Sequence, residues 1–342
     1  MRKLTKEVHV GNIRLGNNNP IVVQTMANIK TSKIDEILSL EERLSKIGNK
    51  LLRLSVLDED DANAFKILSK KSNTPLIADI HFNINYAIQA IENGAKAIRI
   101  NPGNMKKEDV YKLIPFAKKH DIAIRIGVNS GSIGQGKKAT LDNMILSMRD
   151  YVSIFEESGF TNLVLSLKSS DPNLTKEVYF KASEVFPYPL HLGVTEAGGS
   201  YFGAIKSCIG LIPLLENGIG DTIRISLCSS PEDEVLAAYQ LLKGLNLITD
   251  FPNLVCCPTC GRTQVDLKRV YQLVLDKVKY VKKDIKIAIM GCPVNGPGEA
   301  KDADIGLAGG VDHFLIFKKG KPVANLSEDE ALVYLFNEID NF

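Results

Sequence analysis

Short runs of Ile, Val and Leu alternate along residues 1–250 with longer stretches whose apolar residues recur every three or four positions. The runs are Ile21–Met26, Leu51–Leu57, Leu76–His81, Ala97–Asn101, Ile122–Val128, Leu163–Lys168, Leu190–Thr195 and Thr222–Leu227. They show little polar alternation, which predicts strands buried on both faces. The stretches between them predict helices. Ser32 is placed to cap one whose apolar set is Ile34, Ile37, Leu38, Leu44 and Ile47. Gly48, Gly94, Gly159 and Gly218 follow helical patterns and suit the left-handed residue that ends a helix. Ser230-Pro231-Glu232-Asp233 reads as a helix start, with acids near the positive end of the dipole. Eight strand–helix units over roughly 250 residues match a (β/α)8 barrel. Strand counting leaves an open doubly wound sheet as the alternative. Val8–Leu15 reads as a hairpin before the first barrel strand, placed to plug the N-terminal end.

The texture changes near Asp250, so the expected division is a barrel over 1–250 and a small α+β domain over 251–342. Thr263–Val281 predicts a helix and Ile285–Met290 a strand. Phe314–Phe317 and Pro322–Asn325 predict a hairpin around Lys319-Gly320, and Ser327–Ile339 a closing helix.

Polar residues gather at the C-terminal ends of the eight runs. In order they are Gln24 and Thr25, Arg53 and Ser55, Asp79 and His81, and Arg99 and Asn101. Arg125 and Asn129, Ser166 and Lys168, Thr195 and Glu196, and Arg224 and Ser226 complete them. Five of the eight strands carry a cation inside an apolar run. Burying a cation without a partner is costly, and the main acids available are Asp79 and Glu196. The missing anions are therefore expected from a ligand. Arg presents a fork that matches phosphate, and five cations suit two phosphates better than one. In a barrel these strand ends converge on one site. Glycine-containing loops after three of the strands (Asn101–Asn104, Asn129–Ser132, Glu196–Ser200) let backbone N–H groups approach an anion. His81, among the cations, is a candidate general acid or phosphate donor. His9, His120, His191 and His313 read as structural.

The chain has 342 residues with 44% hydrophobic and 24% charged positions, the profile of a folded globular protein rather than a disordered one. Its formal charge of +2 argues against a dedicated nucleic-acid binder. No run is long enough for a membrane span, and the first residues lack a signal peptide's apolar core. A cytoplasmic enzyme is expected.

Four of the six cysteines fall after residue 250. Clustered cysteines without a secretion signal point to metal or redox chemistry. Cys208 and Cys228 read as buried, inert thiols, and Cys256 as a spectator. Cys257-Pro258-Thr259-Cys260 is a CxxC with no second CxxC to complete a zinc ribbon. Only Cys292 follows it, in the run Met290 to Glu299. Three thiolates suit zinc with one further ligand, an iron–sulfur cluster with a non-cysteine fourth site, or, less completely, a redox CxxC. Glu299 is a possible oxygen ligand.

Several segments together carry a resemblance. They are Ile77–Phe82, Arg99–Asn104, Ile124–Asn129, His191–Gly199, Cys257–Thr263 and Met290–Glu299. The chain resembles the bacterial 4-hydroxy-3-methylbut-2-enyl diphosphate synthase family over nearly its whole length. The resemblance implies a (β/α)8 TIM barrel followed by a small α+β iron–sulfur domain. It implies one [4Fe–4S] cluster per chain on Cys257, Cys260, Cys292 and Glu299, with Glu299 an exchangeable ligand. Arg53, His81, Arg99, Asn101, Arg125, Asn129, Lys168, Arg224 and Ser226 would bind a cyclic diphosphate, joined by Asn295 of the second domain. Glu196 would be the acid/base carboxylate. The implied reaction opens 2-C-methyl-D-erythritol 2,4-cyclodiphosphate reductively, with ferredoxin or flavodoxin as donor, in a homodimer whose cluster domain caps the partner's barrel. The chain departs from the pattern at Asn83, where Asp is common, and in a short Gly134–Thr140 stretch. It lacks an insert between domains. The competing readings are a non-redox phosphate-ligand barrel with a structural zinc domain and a zinc-type binding module.

Overall fold

The computed structural model describes residues 2–133, 138–293, 298 and 300–342. The expected site residues Asn295 and Glu299, and most of the short Gly134–Thr140 stretch, lie outside them. The chain divides into two compact units, Met1–Ala238 and Tyr239–Phe342.

The first unit opens with the antiparallel hairpin β1 (Val8–Val10) and β2 (Ile13–Leu15). Eight parallel strands follow: β3 (Val22–Met26), β4 (Leu51–Val56), β5 (Leu76–Ile80), β6 (Ala97–Ile100), β7 (Ala123–Asn129), β8 (Leu163–Lys168), β9 (His191–Leu192) and β10 (Thr222–Ile223). They pair in chain order, and β10 returns to pair with β3. A bridge between Leu165 and Leu190 joins β8 to the segment entering β9. That closure decides for a barrel, since an open doubly wound sheet reverses its strand order.

The runs do alternate once the barrel closes. Even-numbered Leu52, Leu54 and Val56, like Ile98, Ile100, Ile124 and Ile126, are fully buried and apolar. The opposite face of each strand looks into the barrel. There Val22, Leu51, Ile77, Ala97, Ala123 and Val164 form an apolar floor against Val8, Val10 and Leu15 of the hairpin, which plugs that end as expected. Two residues further along come Gln24, Arg53, Asp79, Arg99, Arg125 and Ser166. The alternation is therefore apolar-out and polar-in above the floor. It escapes a reading by hydropathy because each run is short and Arg and Lys occupy only one or two places in it.

The helix over Ile34–Lys46 starts from Lys33 without a side-chain cap. Ser32 does not cap it; its amide donates to the buried Asp61 Oδ1 at 2.9 Å. Gly48, Gly94, Gly159 and Gly218 all have positive φ. The helix Pro231–Gly244 begins where the Ser-Pro-Glu-Asp run predicts, with Ser230 Oγ accepting from Asp233 N–H.

The second unit holds one five-stranded sheet in chain order: β11 (Asn253–Cys256), β12 (Lys286–Met290), β13 (Ile305–Gly310), β14 (His313–Lys318) and β15 (Lys321–Leu326). The first three are parallel and the rest antiparallel. Helices Leu267–Val278 and Glu328–Asn341 cover one face, packing Val270, Val274, Leu335 and Ile339 on Ile287 and Ile289. The closing helix carries a capping box between Ser327 and Glu330. Strands β11 and β13 are additions to the expected elements. In β13 the Phe317 ring lies over Gly306 and fills the place of its side chain. The first helix starts at Leu267 rather than Thr263, because Thr263 belongs to the turn around Cys260. Among the described residues no helix is long and apolar enough to cross a membrane.

Candidate active site

The C-terminal ends of the barrel strands enclose a pocket of about 220 Å³. Of the expected ligand contacts, Arg53, His81, Arg99, Arg125, Asn129, Lys168, Arg224 and Ser226 line it. Met26, Asp79, Ser166 and Thr195 complete the wall. Asn101 does not line it. It is buried, and its side chain accepts the Gly103 N–H at 3.1 Å, shaping the turn after β6. Glu196 is exposed, with a left-handed φ of 53°, and stands next to the wall residue Thr195 rather than in the wall.

The acids divide the cations into two kinds. Asp79 is buried and lies 3.6 Å from Arg53 Nε, 3.3 Å from Arg99 Nη1 and 3.9 Å from His81 Nε2. Burial opposes its charge, but the guanidinium groups of Arg53, Arg99 and Arg125 outweigh that and hold its carboxyl low. The second acid is Glu234, not Glu196. It grips Arg224 with two hydrogen bonds of 2.9 Å and accepts from Thr25 Oγ1 and Leu227 N–H. Glu234 looks from sequence like one more helix-start acid. It turns inward because it sits one turn into the Pro231 helix, on the face packed against the barrel.

Neither Arg125 nor Lys168 makes an ion pair among the described residues, and Asp79 acts on Arg125 only at longer range. The two cations are 4% and 6% exposed. Burial, reinforced by the neighbouring cations, lowers both far below their ordinary values. Burial also brings Arg53 down to about 10, against the pull of Asp79. Arg125 Nη1 donates to Gln24 Oε1 at 2.9 Å, while its buried Nη2 has no partner among the described residues. The Gln24 amide lies 3.0 Å from His191 Nδ1 and donates to Thr222 Oγ1 at 2.9 Å. That network assigns the ring proton to His191 Nε2, which is also buried and unpartnered among the described residues. Buried donors without acceptors are rare. Here one belongs to Arg125 itself and the other to His191, whose ring feels the charges of Lys168 and Arg125, an arrangement suited to an anion.

In the second unit all three candidate ligand cysteines are free thiols. Cys257 follows β11 directly and accepts the Gly291 N–H at 3.1 Å, so it faces the end of β12, beyond which Cys292 lies. Cys260 sits on an exposed turn closed by Thr263. Hydrogen bonds from Arg262 favour its thiolate. Cys256 packs on the hydrophobic core, and burial raises its thiol. Among the described residues no three Cys, His, Asp or Glu side chains converge on a single-ion site. A cluster shares its ligands over several irons and does not require that convergence. Cys208 is half-buried, and Cys228 is exposed rather than buried, since it lies in the loop beyond β10 and not inside the strand.

Residues 5–239 match the GcpE TIM-barrel domain and residues 253–341 the GcpE protein C-terminal domain. The chain belongs to the GcpE family. A GcpE-family relative in Malacoplasma penetrans is 45% identical over 97% of this chain and 93% of its own length. One in Clostridium perfringens is 44% identical over 99% of each. Both are named 4-hydroxy-3-methylbut-2-en-1-yl diphosphate synthase (flavodoxin). Among solved structures, a truncated 3-deoxy-D-arabino-heptulosonate 7-phosphate synthase from Thermotoga maritima superposes with a TM-score of 0.52 at 14% identity, covering 71% of this chain and 91% of that one. Yersinia pestis dihydropteroate synthase gives 0.51 at 13%, covering 70% and 98%. These two likenesses concern the barrel fold alone.

Proposed function

We propose that this chain opens the ring of 2-C-methyl-D-erythritol 2,4-cyclodiphosphate reductively and removes a hydroxyl, giving 4-hydroxy-3-methylbut-2-enyl diphosphate. It is an oxidoreductase of isoprenoid biosynthesis, on the methylerythritol phosphate route, drawing electrons from flavodoxin; ferredoxin is the alternative donor. The observation that carries the reading is the barrel pocket, whose wall holds five cations against the single carboxylate of Asp79 and where the buried Arg125 Nη2 has no partner among the described residues.

Each phosphorus of the cyclic substrate carries one ionised oxygen. Breaking the ring's carbon–oxygen bond puts a further negative charge on the freed phosphate oxygen. The site therefore has to favour a more anionic product side, and cations preset in a low-dielectric pocket do so without reorganising. Arg53, Arg99 and Arg224 are held in place by Asp79 and Glu234 and fix the diphosphate's orientation. Arg125 and Lys168 carry the excess charge. Two electrons enter, the ring bond and the carbon–hydroxyl bond break, and the hydroxyl leaves as water after taking one proton. His81 in the wall and Glu196 at its rim are the proton donors we assign.

The family works with iron and sulfur. We assign one [4Fe–4S] cluster per chain to Cys257, Cys260, Cys292 and Glu299, supported by three free thiols and the N–H donated to Cys257. When bound, the cluster supplies the electrons singly. Asn295 would add a contact to the substrate. We further propose a cytoplasmic homodimer with each cluster domain serving the partner's barrel.

The reading is tested with anaerobically reconstituted protein, the cyclic diphosphate and reduced flavodoxin. Product should form, with about four irons and four sulfides per chain. A colourless, zinc-loaded preparation with full activity would overturn the cofactor assignment. Mixing Lys168→Ala chains with Cys260→Ser chains should restore turnover if sites are shared between chains.

A further inference from the structure

Two glycines sit where the barrel's inner face would otherwise carry a side chain. Gly127 lies two residues beyond Arg125 on β7, and Gly193 two beyond His191 at the end of β9, so both look inward. Barrels ordinarily fill such places with branched side chains. Neither glycine has a positive φ, so the backbone does not demand them. Space does. A Cβ on Gly193 would lie 2.5 Å from Lys168 Nζ and 2.8 Å from the Arg224 carbonyl oxygen. A Cβ on Gly127 would lie 2.7 Å from Arg99 Nε and 3.1 Å from its Nη2. The Gly127 carbonyl also accepts from Arg99 Nη2 at 3.3 Å.

The same relation thus occurs twice. Arg99 rises from β6 and lays its head group over the glycine of β7. Lys168 rises from β8 and lays its ammonium over the glycine that follows β9. In each case a cation leans onto the next strand through a gap left by a missing side chain.

We propose that Gly193 and Gly127 are positioning residues for the anion site: they hold open the places in which Lys168 and Arg99 meet the diphosphate. The inference rests on the reading of this pocket as the diphosphate site. Adding one methyl group at either place moves a charged head group off its contact rather than removing it.

The experiment is a double-mutant cycle on the reconstituted enzyme, following KM and kcat for the cyclic diphosphate separately, with the cluster absorbance as a control. Gly193→Ala should raise KM roughly tenfold, with the cluster spectrum unchanged. In a Lys168→Ala background the part of the effect that runs through the ammonium should vanish, leaving only the contact with the Arg224 carbonyl, so the two changes together should raise KM by clearly less than the product of their separate effects. Gly127→Ala, whose nearest neighbours are all Arg99 side-chain atoms, repeats the test against Arg99→Ala and decides the matter if the Gly193 variant fails to fold. Additive effects in the cycle, or unchanged KM in the glycine variants, would overturn the proposal. If Lys168→Ala and Arg99→Ala themselves leave KM unchanged, the diphosphate site is misplaced, and that is a separate failure.

Discussion

The two ends of the barrel are built on opposite terms. At the N-terminal end, six inward side chains of the strands close on three of the hairpin, all nine apolar. At the C-terminal end, the same strands only two to four residues further along carry Arg53, Arg99, Arg125 and Lys168, and Arg224 just past β10 makes five cations, two of them in no ion pair among the described residues. The floor contributes stability by removing apolar surface from water. The mouth works against stability, because buried charge of one sign is costly until an anion arrives. One set of strands therefore serves as scaffold at one end and as a poised site at the other, a division in which activity is gained at the expense of stability.

Substitutions at the two ends should separate these roles. The largest effect is expected at Glu234, which holds Arg224, Thr25 and Leu227 together. Glu234→Ala leaves the half-buried Arg224 guanidinium, 16% exposed, unpaired and should destabilise the fold by ~3–5 kcal/mol, read by chemical denaturation. A loss below half of that would mean Arg224 finds another partner. On the floor, Leu15, 2% exposed, should cost ~2–5 kcal/mol as Leu15→Ala, while turnover per folded molecule stays as in the wild type. A drop in kcat there would break the comparison.

In the mouth the sign reverses. Lys168→Met keeps the aliphatic stem and removes the charge. Substrate affinity should fall by ~1.5–3 kcal/mol, roughly ten- to a hundredfold. The melting temperature should hold or rise, since a similar-sized apolar group replaces an uncompensated buried ion. A lower melting temperature would show that Lys168 supports the fold after all.

The smallest effect is a proton. Burial and the surrounding Arg224, Arg53, Arg125 and Arg99 lower the ammonium of Lys168, and an arriving diphosphate raises it again. Between that lowered value and the ordinary lysine value, binding should draw in up to one proton and weaken as pH rises. Titration calorimetry in two buffers of different ionisation heat measures the uptake. By the same linkage, the free protein should gain stability with rising pH across that window, because the unfolded chain holds the proton more tightly. Equal heats in both buffers, corrected for dilution, would show that Lys168 stays charged throughout.

The sequence by itself carried a good deal of this protein. Eight apolar runs, the glycines ending helices at 48, 94, 159 and 218, and the plugging hairpin follow from local pattern, because strand, cap and turn preferences are set by neighbouring residues. The cations at the strand ends were also legible, since an Arg inside an Ile-rich run is conspicuous in one dimension. The cysteine triplet was visible as spacing. What needed the tertiary structure was every relation between distant residues. Closure by the Leu165–Leu190 bridge chose barrel over open sheet. Glu234, rather than Glu196, proved to be the second acid, because which helix-start carboxylate turns inward depends on how the helix docks. Asn101 was drawn into its own turn, and the glycines at 127 and 193 gained meaning only when Arg99 and Lys168 were seen lying over them. Local propensity is written along the chain; charge pairing and empty space are properties of the packed interior, where residues many positions apart meet.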